Sequence, residues 1–185
     1  MHKSLGVMAA PCLTLLPPAW YGSCGKLYRC CLPCSTSLDK DGIVLSQLQE
    51  AAGLSQLVVV AVPPDDEILR LTGGRIVDIA KYYEDNGVIC YRPTWIEKYS
   101  EENHELLDGL ADTVVSHLQR GDTVAVHCHS GFGRGGVVLA AVLQRGGFKD
   151  AVSDVIESLQ SIDQQFLSAA KANAWAKKHI ERGSQ

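Results

Sequence analysis

Thr123-Val-Ala-Val-His127-Cys128-His129-Ser130-Gly131-Phe132-Gly133-Arg134-Gly135-Gly136-Val-Val-Leu-Ala-Ala-Val-Leu-Gln144 reads as a strand, a glycine-spaced loop and a helix. Thr123 to His127 follows a Gly121-Asp122 turn and, with β-branched Thr123, Val124 and Val126 in a short run, reads as a buried strand. Gly135 to Gln144 is apolar on nearly all sides, which predicts a buried helix, and Gly146-Gly147 ends it. A loop between a buried strand and a buried helix is a natural anion site. The first N–H groups of a helix lack internal partners, and the helix dipole places partial positive charge there. Gly131 and Gly133 allow the tight curl that turns successive N–H groups towards one centre.

Outward from this segment, strands and helices alternate. Ile43 to Leu54 has helical spacing, and Leu57 to Val62 is an apolar strand closed by Pro63-Pro64. A helix is expected across Ile76 to Tyr83, a strand over Gly87 to Tyr91, and a long amphipathic helix over Glu101 to Gln119. Two helices follow, about Asp150 to Gln160 and Gln164 to Ile180. Leu5 to Ala10 reads as a first buried strand. Lys3 before the apolar run to Leu16 has a weak secretory look, but Pro11, Pro17 and Pro18 interrupt it. Residues 12–37 are read as an irregular Cys/Pro-rich insertion. The pattern predicts one α/β domain over 1–185, with a mostly parallel twisted sheet flanked by helices on both faces and the ligand beyond the carboxyl ends of the strands.

Composition narrows the function. The 185 residues carry a formal charge of −4, so no global field attracts nucleic acid or an anionic membrane. No apolar stretch is long enough to span a bilayer. Seven cysteines cannot all pair within one chain, which fits reduced thiols in the cytoplasm. Only Cys31 and Cys34 have metal-ligand spacing, and no second pair answers them, so no metal is expected.

Cys128 opens the glycine loop, where positive potential favours the thiolate, a strong nucleophile. Arg134 closes it, with a planar fork suited to two phosphoryl oxygens. A lone Cys at a strand end is usually a buried thiol. Here His-Cys, five residues, two placed glycines, Arg and then a helix stand together.

His127 to Arg134 resembles the signature loop of the cysteine-based protein-tyrosine and dual-specificity phosphatase superfamily. Leu5 to Pro11, Leu38 to Glu67 and Asn86 to Arg134 are similar to its kinase-associated phosphatase branch; residues 12–37 have no counterpart. The resemblance implies a phosphatase-like fold and a phosphoprotein substrate. It also implies two steps without metal or cofactor. Cys128 attacks phosphorus to give a phosphocysteine, and a carboxylic acid that has protonated the leaving oxygen then activates water. Residues His129, Ser130, Gly131, Phe132, Gly133 and Arg134 would hold the phosphate, with His127 supporting the loop. Phosphotyrosine and phosphoserine/threonine both remain open. So do a pseudophosphatase that binds a phosphorylated partner, and a phosphatase of phosphoinositides or small phosphomonoesters, although the loop lacks the Lys that polyanions favour. A redox or sulfur-transfer protein fits Arg134 and the glycine spacing less well.

The chain departs from the family in two places. The acid loop, Tyr91-Arg-Pro-Thr-Trp-Ile-Glu-Lys98, has no Asp, and Glu97 is its nearest carboxyl. Asp65 and Asp66 are held in reserve, with an N-cap as their ordinary role. Gly135 stands where many members have Ser or Thr, a hydroxyl that eases thiolate departure. Gln164 or Gln165 could match a water-positioning glutamine, although both also read as ordinary exposed helix residues. If Glu97 is the acid, Glu97→Gln slows a phosphopeptide with a poor leaving group far more than an activated aryl phosphate, and flattens the basic limb of the pH–rate profile. Should Asp65→Asn or Asp66→Asn show that dependence instead, the acid lies on the other loop.

Overall fold

The computed structural model describes residues 12–98, 100–147 and 152–183. Its centre is a five-stranded sheet in the order β1-β2-β5-β3-β4. These are β1 (Leu13–Leu15), β2 (Lys26–Cys30), β3 (Leu57–Ala61), β4 (Ile89–Tyr91) and β5 (Thr123–His127). Only β1 runs antiparallel to its neighbour; β2, β5, β3 and β4 are parallel. In register, Cys30 and Ala61 both stand opposite His127, so β2 and β3 flank the strand that feeds the signature loop.

Alternate strand residues enter two cores, as the period of two requires. Leu27, Val58, Val60, Val124 and Val126 pack under α4 (His104–Gln119), α5 (Arg134–Arg145), α6 (Val152–Ile162) and α7 (Ala170–Gly183). Tyr28, Cys30, Val59, Ala61 and Ala125 pack against α1 (Val44–Ala52), α2 (Asp65–Leu71) and α3 (Ile79–Asp85). The helix-covered, mostly parallel sheet matches the expected fold class. α1, β3, β4, α4, β5 and α5 fall where the pattern placed them, within the usual fraying of ends.

Three expectations need correction. Residues 12–37 are not an irregular insertion: they supply β1 and β2, and β2 lies inside the sheet. Lys26 and Arg29 disguise β2 as polar, yet Arg29 is only 2% exposed. The helix expected from Ile76 begins at Ile79, because the Asp78 side chain accepts from the Lys81 N–H and sets the start. The unforeseen α2 is one short helix squeezed between Pro64 and Thr72-Gly73-Gly74. The helix expected from Gln164 starts only at Ala170, because Leu167 adopts a left-handed backbone (φ 52°) that no α-helix accommodates. The expected strand Leu5–Ala10 and the expected start of α6 at Asp150 lie outside the described residues.

β2 enters the sheet by a close approach at Gly25. A Cβ there would lie 2.5 Å from the Asp122 carbonyl and 2.6 Å from that of Leu118, both backbone atoms that cannot rotate away. Gly25→Ala should therefore push β2 off the α4–β5 turn and cost about 1–3 kcal/mol, the scale of overpacking. Chemical denaturation measures the loss, and an unchanged midpoint would disprove the close approach.

Candidate active site

The site is built at the carboxyl end of β5. Cys128 is 4% exposed there, at the mouth of the curl that becomes α5. Within the curl, Gly131 has φ +86°, and a Cβ on it would run into both the Arg29 side chain and the Cys30 carbonyl. The sequence needs glycine here for conformation and for space.

The loop carbonyls are fixed one by one. That of His129 accepts from the Leu32 N–H at 2.8 Å, and that of Phe132 from the Leu167 N–H at 3.1 Å. That of Ser130 accepts from Arg29 Nη1 at 2.9 Å. That of Cys128 is 3.1 Å from His127 Nδ1. In a trans peptide the N–H points opposite to the C=O. With these four carbonyls turned to the surrounding protein, the N–H groups of His129, Ser130, Gly131 and Gly133 face the other way, towards the inside of the curl. Such a nest of amides at a helix start binds anions.

His127 is fully buried, and desolvation pushes its pKa down to about 4, so the ring is neutral at pH 7. A carbonyl can only accept, so Nδ1 carries the proton towards Cys128 O, and Nε2 accepts from the Tyr83 hydroxyl at 2.9 Å. Burial raises the Tyr83 pKa well above its ordinary value, so that hydroxyl keeps its proton. His127 is thus a fixed strut, not a proton carrier. The His129 ring turns to the rim, with Nε2 at 3.2 Å from Ser37 Oγ and 3.4 Å from Ser35 Oγ, and burial lowers its pKa.

Arg134 begins α5 and pairs in a bidentate fork with Glu67, Nη1 to Oε2 at 2.9 Å and Nη2 to Oε1 at 2.5 Å. Both side chains are about four-fifths covered, with 19% and 18% exposed. Glu67 was missed in sequence. The available signal was the run Asp65-Asp66-Glu67 after the buried strand β3, which reads equally as carboxylates matched to a helix dipole. The two reserve acids stand in that first turn of α2, after an N-cap at Pro64, and not at the N-cap itself. Asp65 is paired with Arg92 Nη2 at 2.8 Å, while Arg92 Nη1 reaches the Ala61 carbonyl at 3.1 Å. Glu97 lies on a short 3-10 helix, Thr94–Lys98, whose neighbours tie it down: Ile96 is fully buried and the Trp95 carbonyl accepts from Asn103 Nδ2 at 2.9 Å. Gln164 and Gln165 are exposed on the turn before Phe166. At Gly135 a Cβ would meet Cys128 Sγ at 3.8 Å, an ordinary contact, so a side chain fits where this chain has none.

Residues 94–185 match the family model of the Swiss Army Knife protein DSP-PTPase phosphatase domain, PTP-SAK. No curated protein matches the chain in sequence. In structure it is similar to a kinase associated phosphatase with its catalytic site cysteine replaced by serine, at 15% identity over 96% of this chain and 98% of that one, with a TM-score of 0.73. It is also similar to a mouse dual specificity phosphatase complexed with zinc tungstate (18% identity, 97% and 94% covered, TM-score 0.61) and to human DUSP28 (13%, 96% and 98%, 0.61). The fold is that of these phosphatases. The resemblance to the protein-tyrosine/dual-specificity superfamily is borne out by the family model over residues 94–185, and the likeness to a kinase associated phosphatase is one of fold.

The Glu67 pair generates a test of its own. Glu67→Gln keeps the shape and removes the charge that aligns Arg134. Its kcat/KM on an aryl phosphate should fall on the order of tenfold, the scale of one charge-assisted hydrogen bond. Unchanged kinetics would reduce Glu67 to a surface counter-ion.

Proposed function

We propose that this dual-specificity-type phosphatase hydrolyses phosphotyrosine and/or phosphoserine/threonine in proteins through a phosphocysteine on Cys128. The observation that carries the reading is the outward pinning of four signature-loop carbonyls, which turns four amides inward beside Cys128, with Arg134 at the start of α5 where the loop ends. A dianionic phosphoryl group fits that chemistry. The catalytic-site cysteine of the similar kinase associated phosphatase supports Cys128 as its counterpart.

In the first step the Cys128 thiolate attacks phosphorus. A P–S bond forms, the P–O bond to the leaving group breaks, and Glu97 gives the leaving oxygen its proton. Arg134 and the loop amides follow the charge onto the equatorial oxygens. In the second step Glu97, now a carboxylate, takes a proton from water as the water oxygen attacks phosphorus. The P–S bond breaks and phosphate leaves. Neutral His127 holds the start of the loop through both steps. One observation favours a second reading, in which a phosphorylated partner is bound and turned over slowly: Gly135 puts no hydroxyl beside the departing Cys128 sulfur, although the space for one exists. We place the reaction in the cytoplasm, a reading that the seven free thiols support. Among the described residues no helix is long and apolar enough to cross a membrane.

Phosphate release from a panel of phosphopeptides and phosphoinositides tests the proposal. Cys128→Ser should abolish release and keep oxyanion binding. Arg134→Lys, which retains charge but loses the fork, should cost several tens-fold in rate, about 2–4 kcal/mol of transition-state stabilisation. Near-normal turnover by Cys128→Ser would sink the mechanism. A preference for phosphoinositides would move the substrate class.

A further inference from the structure

Arg29 is an unusual residue for a strand inside a sheet. It is 2% exposed, and desolvation lowers its pKa, yet a guanidinium stays charged in proteins. One end of its fork donates to the Ser130 carbonyl at 2.9 Å, and the other donates to Thr14 Oγ1 on β1 at 2.6 Å. Its central carbon lies 4.2 Å from the centre of the Phe132 ring, a cation–π distance. Its stem fills the space that a side chain at Gly131 would need. Three consecutive loop residues, Ser130, Gly131 and Phe132, thus rest on this one side chain.

We infer that Arg29 is a positioning residue of the phosphate cradle: by holding the Ser130 carbonyl outward it turns the Gly131 N–H towards the bound oxyanion. The inference rests on the phosphatase reading of the loop and goes beyond it, because Arg29 lies outside the signature and touches no substrate. Without the guanidinium, the Ser130–Gly131 peptide has no charged partner. Glycine lets such a peptide rotate at little cost, which would present a carbonyl to the anion instead of an amide. Arg29 also places a fixed positive charge behind the loop, in a region of low dielectric where it acts at longer range than in water. β1 shares in the task, since Thr14 holds the far side of the fork.

Tungstate binding, measured by calorimetry, separates this role from general stability. Met keeps much of the length and volume of the Arg29 stem, so the variant loses the buried donor while the packing around Gly131 and Phe132 is kept. Arg29→Met should therefore keep its cooperative unfolding, yet bind tungstate about tenfold or more weakly, as expected for a lost charge-assisted contact. Its kcat should fall with it. Arg29→Lys, which keeps charge and one donor, should recover part of both. Thr14→Val, which only loosens the fork, should show a smaller loss in the same direction. A folded Arg29→Met protein that binds tungstate as the wild type does would overturn the inference. If that variant does not fold, wild-type affinity in both Arg29→Lys and Thr14→Val overturns it equally. Wild-type protein that binds tungstate but releases no phosphate would count against the turnover reading alone, and leaves the Arg29 comparison intact.

Discussion

The structure depends on one constraint: loop carbonyls must face out if loop amides are to face in. A peptide has a donor and an acceptor on opposite sides, and an anion site needs every acceptor disposed of elsewhere. This chain meets the requirement with donors from three directions. The segment just beyond β2 supplies the Leu32 N–H, β2 itself supplies Arg29, and the turn before α7 supplies the Leu167 N–H. The fourth, His127 Nδ1, is made available by a buried tyrosine that occupies the other ring nitrogen. The sheet order places β2 and β3 on either side of β5, and that neighbourhood is what brings the donors within reach.

Electrostatics adds a second layer. Glu67 takes both terminal nitrogens of Arg134 in a bidentate pair and so fixes the plane of the guanidinium. Rim charges are arranged similarly: Arg92 is held between Asp65 and the Ala61 carbonyl, close enough to oppose protonation of His127. A low-dielectric site surrounded by such pairs keeps its donors oriented in advance of any ligand, the preorganisation on which electrostatic stabilisation depends.

How much of this was legible in the sequence follows from physics, residue by residue. β3 and β5 were readable because strands buried on both faces become continuous apolar runs. The loop was readable because glycine, Cys and Arg at fixed offsets have few other uses. β2 was not, since a buried Arg in a strand of five looks like a polar stretch, and its partners, Thr14 and Ser130, lie far away in sequence. Glu67 was hidden for a related reason: three acids at the start of a short helix satisfy a local rule, and only the fold shows that one of them points across to Arg134. Leu167 gave no warning either, because Leu rarely takes a left-handed backbone and the gain that offsets it is a hydrogen bond to another loop. Glu97 stands where the loop pattern put it, on a 3-10 helix anchored by Ile96, with its role still resting on chemistry and resemblance.

The hydrogen bond from Leu167 to Phe132 also has a temporal side. Synthesis runs from the amino terminus, so β5 and the signature loop leave the ribosome before the turn that pins the last carbonyl. Until Phe166 packs edge-on against Phe132 (5.0 Å between rings) and Leu167 closes on Gly136, that corner of the cradle has no partner. A nascent chain therefore holds Cys128 and Arg134 before it holds a finished loop. Competence arrives late, with the turn between α6 and α7, and a chain interrupted ahead of that turn would carry the whole signature without the geometry that the signature is read to mean.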